Sequence, residues 1–351
     1  MKTEILKIDI NDIDIQKIRY AADVLRQGGL VAFPTETVYG LGADALNEKA
    51  VKKIFEAKGR PSDNPLIVHI EDSRSINELV SDIPSNASIL MDRFWPGPLT
   101  LVMKKSKKVP EIITAGLSTV AIRVPSHPIA LALIREAGLP VAAPSANVSG
   151  KPSPTAAKHV IDDLSGKVDV IIEGGSANIG VESTVIDITL TPPVILRPGG
   201  ISPEQLGNVL GGVAIDPAVV KADSTEFVPR SPGMKYTHYS PKAEVIVVEG
   251  EPLKVAKKIA GMIEDYKENG ISVGVLSTEQ TKDLYLEVPV ISLGDRLTPE
   301  TIAANLFKAF RDFDDIGIKI ILAEAIDNTG IGLAVMNRMK KAAGYNIVKI
   351  T

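Results

Sequence analysis

From residue 243 to the end of the sequence, apolar runs typical of strands alternate one by one with amphipathic runs typical of helices. Strands are predicted over residues 245–248, 272–276, 288–293, 319–323 and 346–350. Helices are predicted over residues 253–269, near Lys282, and over 299–313 and 331–343. Such a series folds into a parallel sheet with helices on both faces, because every crossover between parallel strands needs about a dozen residues. The sequence therefore predicts that residues 242–351 form a smaller, doubly wound (Rossmann-like) parallel α/β domain.

The first 210 residues mix strands and helices without that strict alternation. Strands are predicted over residues 30–33, 66–70, 99–103, 120–124, 141–143, 168–172, 184–188 and 194–197. Helices are predicted over residues 13–27, 49–57, 86–94 and 127–137, with a short one from residue 202. This mixture favours an α/β domain with a twisted, mixed sheet. Its strands repeatedly end in turns rich in Ser, Thr, Asn and Gly, where ligand clefts commonly form.

The strand that ends at Phe33 breaks at Pro34 into a hydroxyl- and glycine-rich segment, residues 34–42. A second segment, residues 58–66, places Lys58 and Arg60 two residues apart. Arginine offers a planar fork for phosphate or carboxylate, lysine offers a mobile point charge, and glycine allows a ligand close to the backbone. Separately, the first segment is also typical of an ordinary turn and the second of a solvated surface. Together they predict a nucleotide or phosphate site.

Composition narrows the classes of function. The chain has 351 residues and 44% hydrophobic content, enough for two domain cores. A net charge of −4 and an aromatic content of 4% argue against a nucleic-acid-binding protein that depends on a basic field or on base stacking. With no cysteine and four scattered histidines, the sequence offers neither a thiolate nucleophile nor a zinc pattern. The N-terminus has no long apolar run, so we expect a cytoplasmic protein without a membrane segment.

Residues 211–241 contain four prolines and little periodicity, which is typical of a linker. Their second half holds Lys235, Tyr236, His238 and Tyr239, whereas disordered tethers are poor in aromatic residues. The residues alone leave a surface tether and a functional lid open. Because long segments without regular structure are often lids, we predict that this linker folds over the active site.

Three motifs of the first 210 residues resemble the YrdC-like family of threonylcarbamoyl-adenylate synthases. They are residues 34–41 (Pro-Thr-Glu-Thr-Val-Tyr-Gly-Leu), 58–61 (Lys-Gly-Arg-Pro) and 144–150 (Pro-Ser-Ala-Asn-Val-Ser-Gly). Residues 232–239 (Pro-Gly-Met-Lys-Tyr-Thr-His-Tyr) resemble the two-domain form of that family, which carries an extra C-terminal domain. The resemblance covers the whole chain. It implies a YrdC-like catalytic domain over residues 1–210, whose twisted sheet and helices enclose a basic cavity.

The resemblance also implies a reaction: ATP, bicarbonate and L-threonine become threonylcarbamoyl-adenylate and pyrophosphate. Lys58 and Arg60 are the expected catalytic residues, because all the reacting groups are anionic and cations offset their repulsion. The ATP-binding residues implied by the resemblance are Lys58, Arg60, Asn64, Ser145, Asn147, Ser153 and Arg197. Arg230 and Tyr236 are added because the linker is predicted to approach the nucleotide. The implied threonine-binding residues are Thr35, His69, Thr119, Arg123 and Ser183. From the residues alone, a structural salt bridge is the alternative for Arg123 and a core position is the alternative for His69.

Mg²⁺ is the expected cofactor, bound with ATP and held mostly by phosphate oxygens and water, so no protein side chain is predicted as a metal ligand. The product is expected to pass to a tRNA threonylcarbamoyl-transferase complex that modifies an adenosine beside the anticodon. One alternative is a double-stranded RNA- or tRNA-binding module, or a weak tRNA contact, for which the basic run at residues 104–108 is the local support. Another is a carbamoyl-transfer domain like those of hydrogenase maturation proteins, which the lack of Cys-rich and acylphosphatase-like segments disfavours.

Overall fold

The computed structural model of the chain describes residues 2–220 and 239–350, which group into two compact units. Of the described residues, the first unit contains 2–149 and 153–220, and the second contains 150–152 and 239–350. Residues 221–238, most of the predicted linker, lie outside the described residues. No helix within the two described ranges is long and apolar enough to cross a bilayer.

The first unit is built from short strands connected by helices. Its strands are β1 (Glu4–Lys7), β2 (Val31–Phe33), β3 (Gly40–Asp44), β4 (Ile67–His69), β5 (Leu99–Lys104), β6 (Thr119–Arg123), β7 (Val141–Ala142), β8 (Val170–Glu173), β9 (Thr184–Asp187), β10 (Val194–Arg197) and β11 (Ala214–Ile215). Its helices are α1 (Ile15–Arg26), α2 (Glu48–Lys58), α3 (Ser85–Phe94), α4 (Glu111–Thr114), α5 (Pro128–Ala137), α6 (Ala157–Leu164), α7 (Pro203–Leu210) and α8 (Pro217–Val220). A 3₁₀ helix covers Ser73–Glu78.

These strands form one mixed sheet in the order β1-β8-β2-β3-β7-β4-β6-β5-β9-β10-β11. Strands β4 and β6 are parallel, as are β5 and β9, whereas β3 is antiparallel to both of its neighbours. The predicted mixed α/β sheet is confirmed. It includes pairings between distant parts of the chain, such as the parallel pair β1 and β8.

The two faces of this sheet are both buried under helices, and residues along β2 alternate between them. Val31 and Phe33 lie in an apolar cluster with residues of α1 and α5. Leu30 and Ala32 lie in a second cluster with residues of α2, α3 and α6. This alternation follows from the two-residue period of a strand, and burial on both faces explains why β2 is uniformly apolar.

Of residues 34–42, predicted as a turn, residues 34–39 form the turn of a hairpin and residues 40–42 lie in its second strand. Gly40 and Gly42 lie in strand β3, paired with Phe33 and Val31 of β2. A Cβ atom on Gly42 would come within 2.8 Å of the Phe33 ring and 2.9 Å of the Val141 side chain. This glycine therefore serves close packing between strands, which is a correction to the expectation that it opens space for a ligand.

The first unit extends beyond residue 210, where the predicted domain ended. Strand β11 pairs in parallel with β10, in the register Val194↔Ala214 and Ile195↔Ile215. The N–H of Asp216 then donates to the carbonyl of Ile195 at 3.0 Å. The sequence signal was weak because a two-residue strand has no periodicity to detect, and its stability comes from pairing with β10.

The second unit has the predicted doubly wound architecture. Its strands are β12 (Glu244–Glu249), β13 (Val273–Ser277), β14 (Val290–Ser292), β15 (Ile320–Glu324) and β16 (Ile347–Lys349). Its helices are α9 (Pro252–Glu268), α10 (Pro299–Asp315) and α11 (Gly332–Ala342), with a 3₁₀ turn at Lys282–Leu284. The five strands form a sheet in the order β14-β13-β15-β12-β16, and every pair is parallel.

Candidate active site

The first and third motifs of the first unit lie side by side, joined by backbone hydrogen bonds. The N–H of Leu41 donates to the carbonyl of Pro144, and the N–H of Ala146 donates to the carbonyl of Tyr39, both at 2.8 Å. A bridge between Gly40 and Ser145 lies between these two bonds. The hairpin of β2 and β3 therefore positions the segment at residues 144–150.

Lys58 ties the second motif to the third. It is the last residue of α2, which ends because Gly59 adopts a left-handed conformation with φ of 59°. The Lys58 side chain donates to the backbone carbonyls of Ser145 and Asn147, the latter at 2.5 Å. Its own carbonyl accepts the N–H of Ser149 at 2.9 Å. Backbone and side chain of Lys58 thus both hold the 145–149 turn.

The environment of Lys58 shifts its protonation equilibrium. The residue is only 2% exposed, and burial lowers its pKa well below the usual value. The positive charge of Arg60 lowers the pKa further, whereas Asp163 opposes the shift. An ammonium group has three N–H donors, and the carbonyls of Ser145 and Asn147 take two of them. In its charged form Lys58 therefore has one donor left for an anionic ligand.

Arg60 and Asn64 lie in the turn that follows α2. The half-buried Arg60 guanidinium makes long hydrogen bonds to the carbonyls of Asn64 and Pro65, at 3.4 and 3.3 Å. Asn64 is fully buried, and neither the nitrogen nor the oxygen of its side-chain amide has a hydrogen-bond partner among the described residues. Leaving such a group unsatisfied costs about 1–3 kcal/mol. Asn64 therefore marks a position that a ligand would complete.

Four predicted site residues lie at the same end of neighbouring strands. His69 ends β4 and Arg123 ends β6, and the two residues are direct partners in the register of this parallel pair. Ser183 immediately precedes β9, and Arg197 ends β10. Strand β9 runs parallel to β5 and antiparallel to β10, which brings Ser183 and Arg197 to the end of the sheet where β6 terminates.

Arg197 and Ser183, predicted for ATP and for threonine respectively, are in direct contact. The Arg197 guanidinium donates to the Ser183 carbonyl at 2.9 and 3.1 Å and to its hydroxyl at 3.1 Å. The Ser183 hydroxyl also lies 2.7 Å from that of Thr100. A Cβ atom on Gly199 would lie 2.3 Å from the carbonyl oxygen of Glu182, so the absent side chain allows this approach. The two predicted subsites are therefore adjacent.

Arg123 is held from three sides within the first unit. Its Nε donates to the Gly97 carbonyl at 3.1 Å, and one terminal nitrogen donates to the Thr37 hydroxyl at 3.0 Å. The other terminal nitrogen lies 2.6 Å from a carboxylate oxygen of Glu36, and both side chains are at least nine-tenths buried. The salt bridge that was the alternative for Arg123 is therefore present, and any ligand of Arg123 must share it with Glu36.

The Arg123 charge shapes the titration of its neighbours. Burial by itself would raise the pKa of Glu36, but the charge and hydrogen bonding of Arg123 outweigh this, and the pKa of Glu36 lies below its usual value. Burial, and secondarily the charge of Arg123, lower the pKa of His69 to about 3. Within residues 2–220 and 239–350, the Nδ1 atom of this buried His69 has no hydrogen-bond partner. At neutral pH, His69 is therefore an uncharged imidazole beside a Glu–Arg pair.

Thr35 and Thr119 fit the predicted threonine site less well. The Thr35 hydroxyl donates to the Val38 carbonyl at 2.6 Å and lies 2.9 Å from the Thr37 hydroxyl, so it primarily shapes the 35–38 turn. Thr119 begins β6, whereas Arg123 ends it. Their Cα atoms are about 13 Å apart at the usual rise per residue. This geometry does not support the prediction that Thr119 shares one threonine site with Arg123.

Three buried polar residues near these positions were not predicted from the sequence. Glu36 lies inside the first motif and Glu182 directly precedes Ser183, but as carboxylates they conflict with a site for anions. In the structure each has a partner: Arg123 for Glu36, and the Ser153 hydroxyl at 2.5 Å for Glu182. The third is His127, whose Nδ1 lacks a hydrogen-bond partner in the described part of the chain. Burial lowers the pKa of His127, and the negative charge of Glu36 opposes this shift. Their signal in the sequence was a charged residue inside a buried run, which requires a partner.

The remaining sequence predictions are two ATP-binding residues and a basic run. Arg230 and Tyr236, predicted for ATP, lie outside the described residues. In the basic run at residues 104–108, Lys105 pairs with Glu111 at 2.5 Å and Lys108 with Glu78 at 3.3 Å. Across residues 2–220 and 239–350, no three His, Cys, Asp or Glu side chains are grouped to hold a metal ion.

Comparison with known proteins gives matches that cover both units. A Sua5/YciO/YrdC family model, described as "Telomere recombination", matches residues 23–199. A second model, described as "Threonylcarbamoyl-AMP synthase, C-terminal domain", matches residues 201–344. The threonylcarbamoyl-AMP synthase of Pyrococcus abyssi is 56% identical over 339 residues, which are 96% of this chain and 97% of that protein. That of Bacillus subtilis is 51% identical over 353 residues, or 99% of this chain and 100% of that protein.

Two solved structures have folds similar to that of this chain. The crystal structure of P. abyssi Sua5 complexed with L-threonine has a TM-score of 0.95 and 55% identity, covering 99% of this chain and 100% of that one. The crystal structure of Escherichia coli YciO has a TM-score of 0.52 and 28% identity, covering 56% of this chain and 96% of that one. With its three motifs in contact and both domain models matched, the chain belongs to the Sua5/YciO/YrdC family, within the two-domain threonylcarbamoyl-AMP synthases.

Proposed function

We propose that the chain converts L-threonine, bicarbonate and ATP into threonylcarbamoyl-AMP and pyrophosphate. The observation that carries this proposal is the match, over 99% of the chain, to a Sua5 structure complexed with L-threonine. The site is consistent with it, because Arg197 contacts Ser183 and so joins the residues assigned to ATP with those assigned to threonine.

The threonine end of the site would be built around Arg123. Each terminal nitrogen of a guanidinium carries two N–H groups, and in Arg123 each of these nitrogens has one partner, Thr37 or Glu36. One N–H on each therefore remains for a ligand, and a carboxylate can accept two such donors. The uncharged imidazole of His69 and the hydroxyl of Ser183 lie at the same strand ends and would bind the polar groups of threonine.

The ATP end of the site would be built around Lys58 and Arg60. The remaining donor of Lys58 and the long, weak hydrogen bonds of Arg60 suit phosphate oxygens. We assign the amide of Asn64, the turn of Ser145 and Asn147, and the guanidinium of Arg197 to the same nucleotide. Ser153 hydrogen-bonds Glu182, so its place in the ATP site requires that this carboxylate also approach the ligand.

The chemistry needs cations more than a nucleophile from the protein. Threonine ammonium and bicarbonate give a carbamate, water and one proton, and a carbamate oxygen then displaces pyrophosphate at the α-phosphorus of ATP. Carboxylate, carbamate and triphosphate repel one another, and Lys58, Arg60, Arg123 and Arg197 would hold them together in a fixed geometry. Mg²⁺ bound to the triphosphate would supply further positive charge. Phosphate oxygens and water are its expected ligands.

The linker and the transfer of the product are further parts of the proposed function. We propose that residues 231–238 close over the nucleotide with Tyr236 near its phosphates or the bicarbonate, and that they limit hydrolysis of the labile adenylate by water. Tyr239, which was grouped with this segment, instead stacks on Phe307 within the second unit, with ring centroids 5.3 Å apart. The product would pass to a tRNA threonylcarbamoyl-transferase complex in the cytoplasm. A direct contact with tRNA is a weaker alternative, since half of the lysines in the 104–108 run are paired with carboxylates.

The proposed reaction is tested directly by supplying ¹³C-bicarbonate with threonine and ATP and analysing the product by mass spectrometry. The expected result is an adenylate whose mass includes one ¹³C atom and one threonine, formed in equal amount with pyrophosphate. ADP with inorganic phosphate as the only products would contradict the proposal.

A further inference from the structure

We propose that Glu36 is a positioning residue for the amino-acid substrate: it holds Arg123 in the one orientation in which its free N–H pair can bind a carboxylate. This inference rests on the proposed function. It explains why a site for several anions contains a buried carboxylate, which by charge alone would oppose substrate binding.

Arg123 is restrained by three neighbouring residues. Gly97, Thr37 and Glu36 each contact a different nitrogen of the guanidinium, at 3.1, 3.0 and 2.6 Å. Three contacts on a planar group fix both its position and its plane. Glu36 is the only charged one among these three partners, and it defines which edge of the guanidinium is left for a ligand.

Glu36 is itself held in place by backbone hydrogen bonds of its turn. Its carbonyl accepts the N–H of Ile179 at 2.9 Å, and the carbonyl of Thr37 accepts the N–H of Gly180 at 3.1 Å. These bonds tie the 36–37 turn to the segment that leads into Ser183. The carboxylate that orients Arg123 is therefore fixed relative to a second residue of the proposed threonine site.

Glu36 also compensates the buried positive charge of Arg123. An unpaired guanidinium with 4% side-chain exposure would pay a large desolvation penalty, so it would be driven to seek any available anion. Pairing with Glu36 makes the buried group neutral overall. Arg123 can then bind a substrate carboxylate by donating directed hydrogen bonds to it, without becoming a second general site for phosphate.

The test is the Glu36→Gln variant in the full-length chain, which keeps an oxygen acceptor for Arg123 but removes the negative charge. The expected result is a rise in the KM for threonine of roughly ten- to hundredfold, the range of a charged hydrogen bond, with the KM for ATP unchanged. Binding of 3-hydroxybutanoate, which keeps the carboxylate and hydroxyl but lacks the amine, should weaken by the same factor. Loss confined to threonine would overturn the proposal, because Glu36 would then be contacting the ammonium group.

Glu324→Gln is the matched control. Glu324 forms the same kind of pair in the second unit, fully buried and 3.0 Å from Arg296. Both variants should lower the free energy of unfolding, but only Glu36→Gln should change the KM for threonine. Equal effects of the two variants on that KM, or no effect of Glu36→Gln, would overturn the positioning role. A wild-type chain that binds no threonine would instead overturn the proposed function.

A second variant keeps the proposal testable if Glu36→Gln does not fold. Thr37→Val removes the hydroxyl that restrains the other terminal nitrogen of Arg123, with little change in volume. It should weaken threonine and 3-hydroxybutanoate together and leave ATP binding unchanged. Unchanged affinity for both carboxylates would show that Arg123 needs no such restraint.

Discussion

The side chain of Lys58 lies 2.5 Å from the backbone carbonyl oxygen of Asn147, so the Lys-Gly-Arg motif and the Pro-Ser-Ala-Asn motif form one structural unit. Lys58 was predicted as a direct phosphate ligand, and the structure shows that two of its donors are already used by the backbone. The hydrogen bonds of Arg60 to the carbonyls of Asn64 and Pro65 are longer, at 3.4 and 3.3 Å.

Arg60→Ala should weaken ATP binding by about 1.5–3 kcal/mol, the scale of a hydrogen bond to a charged group. Threonine binding measured without ATP should change much less, because Arg123 carries that interaction. Calorimetric titration with each ligand measures both effects. Unchanged ATP affinity would remove Arg60 from the nucleotide site.

Asn64→Leu should make the ligand-free protein more stable and less functional. Leucine has a similar volume and no polar atoms, so the variant removes a buried amide that lacks partners and should raise the free energy of unfolding by about 1–3 kcal/mol. ATP binding should weaken at least tenfold. Chemical denaturation and ATP titration of the same preparation are the two measurements. A variant that is less stable than wild type would mean that the Asn64 amide is satisfied in the ligand-free protein.

His69 should make the stability of the protein depend on pH. Its pKa is about 3 in the folded state, against an ordinary value of 6.5. Between these values the unfolded chain binds one more proton than the folded chain, so the free energy of unfolding rises with pH across the window and falls on acidification. His69→Gln should reduce this slope by up to about 1.4 kcal/mol per pH unit. Denaturation curves of both proteins between pH 4 and 6 provide the comparison, and parallel slopes would contradict it.

Discrimination of threonine from serine should depend on Val181. Both amino acids share the hydroxyl, so the difference must come from an apolar contact with the methyl group, worth ~1–3 kcal/mol. Leu41 of the first motif is apolar as well, but it lies within the main apolar cluster. Val181 is buried and lies two residues before Ser183. Val181→Ala should narrow the ratio of the two kcat/KM values, and an unchanged ratio would place the methyl pocket elsewhere.

The linker prediction can be tested with a better-placed truncation. Residues 231–238, proposed to close over the nucleotide, lie outside the described residues, but β11 and α8 show that a chain ending near residue 213 would lose a strand of the first unit. Chains ending at residues 220 and 241 should therefore be compared. The longer one should keep substantial synthesis activity and the shorter one should lose it while still folding. Equal activity would show the linker to be a tether.

The sequence predicted the second unit well because each of its strands and helices is long enough to show its own periodicity. It predicted the motif segments of the first unit for a different reason: Lys58, Arg60 and Asn147 stand in turns where charged and amide groups are unusual unless they are used. It missed β3 because two glycines suggested a turn, and their packing against Phe33 depends on a pairing that periodicity does not report.

The role of Glu36 was also beyond the sequence. A carboxylate inside a predicted anion site looks unfavourable until its partner is known, and Arg123 is 87 positions away in the chain. The sheet order β2-β3-β7-β4-β6, together with the turn at residues 35–38, brings the two groups together. Long-range contacts of this kind decide which charges compensate each other, and local sequence patterns do not contain that information.

The most direct test of the central claim is isotope exchange between pyrophosphate and ATP in the purified full-length chain. If the chain activates a threonine-derived carbamate, exchange should require threonine and bicarbonate together, and omission of either should abolish it. Exchange that proceeds with threonine alone would indicate ordinary amino-acid adenylation, and no exchange with all components present would contradict the proposed reaction.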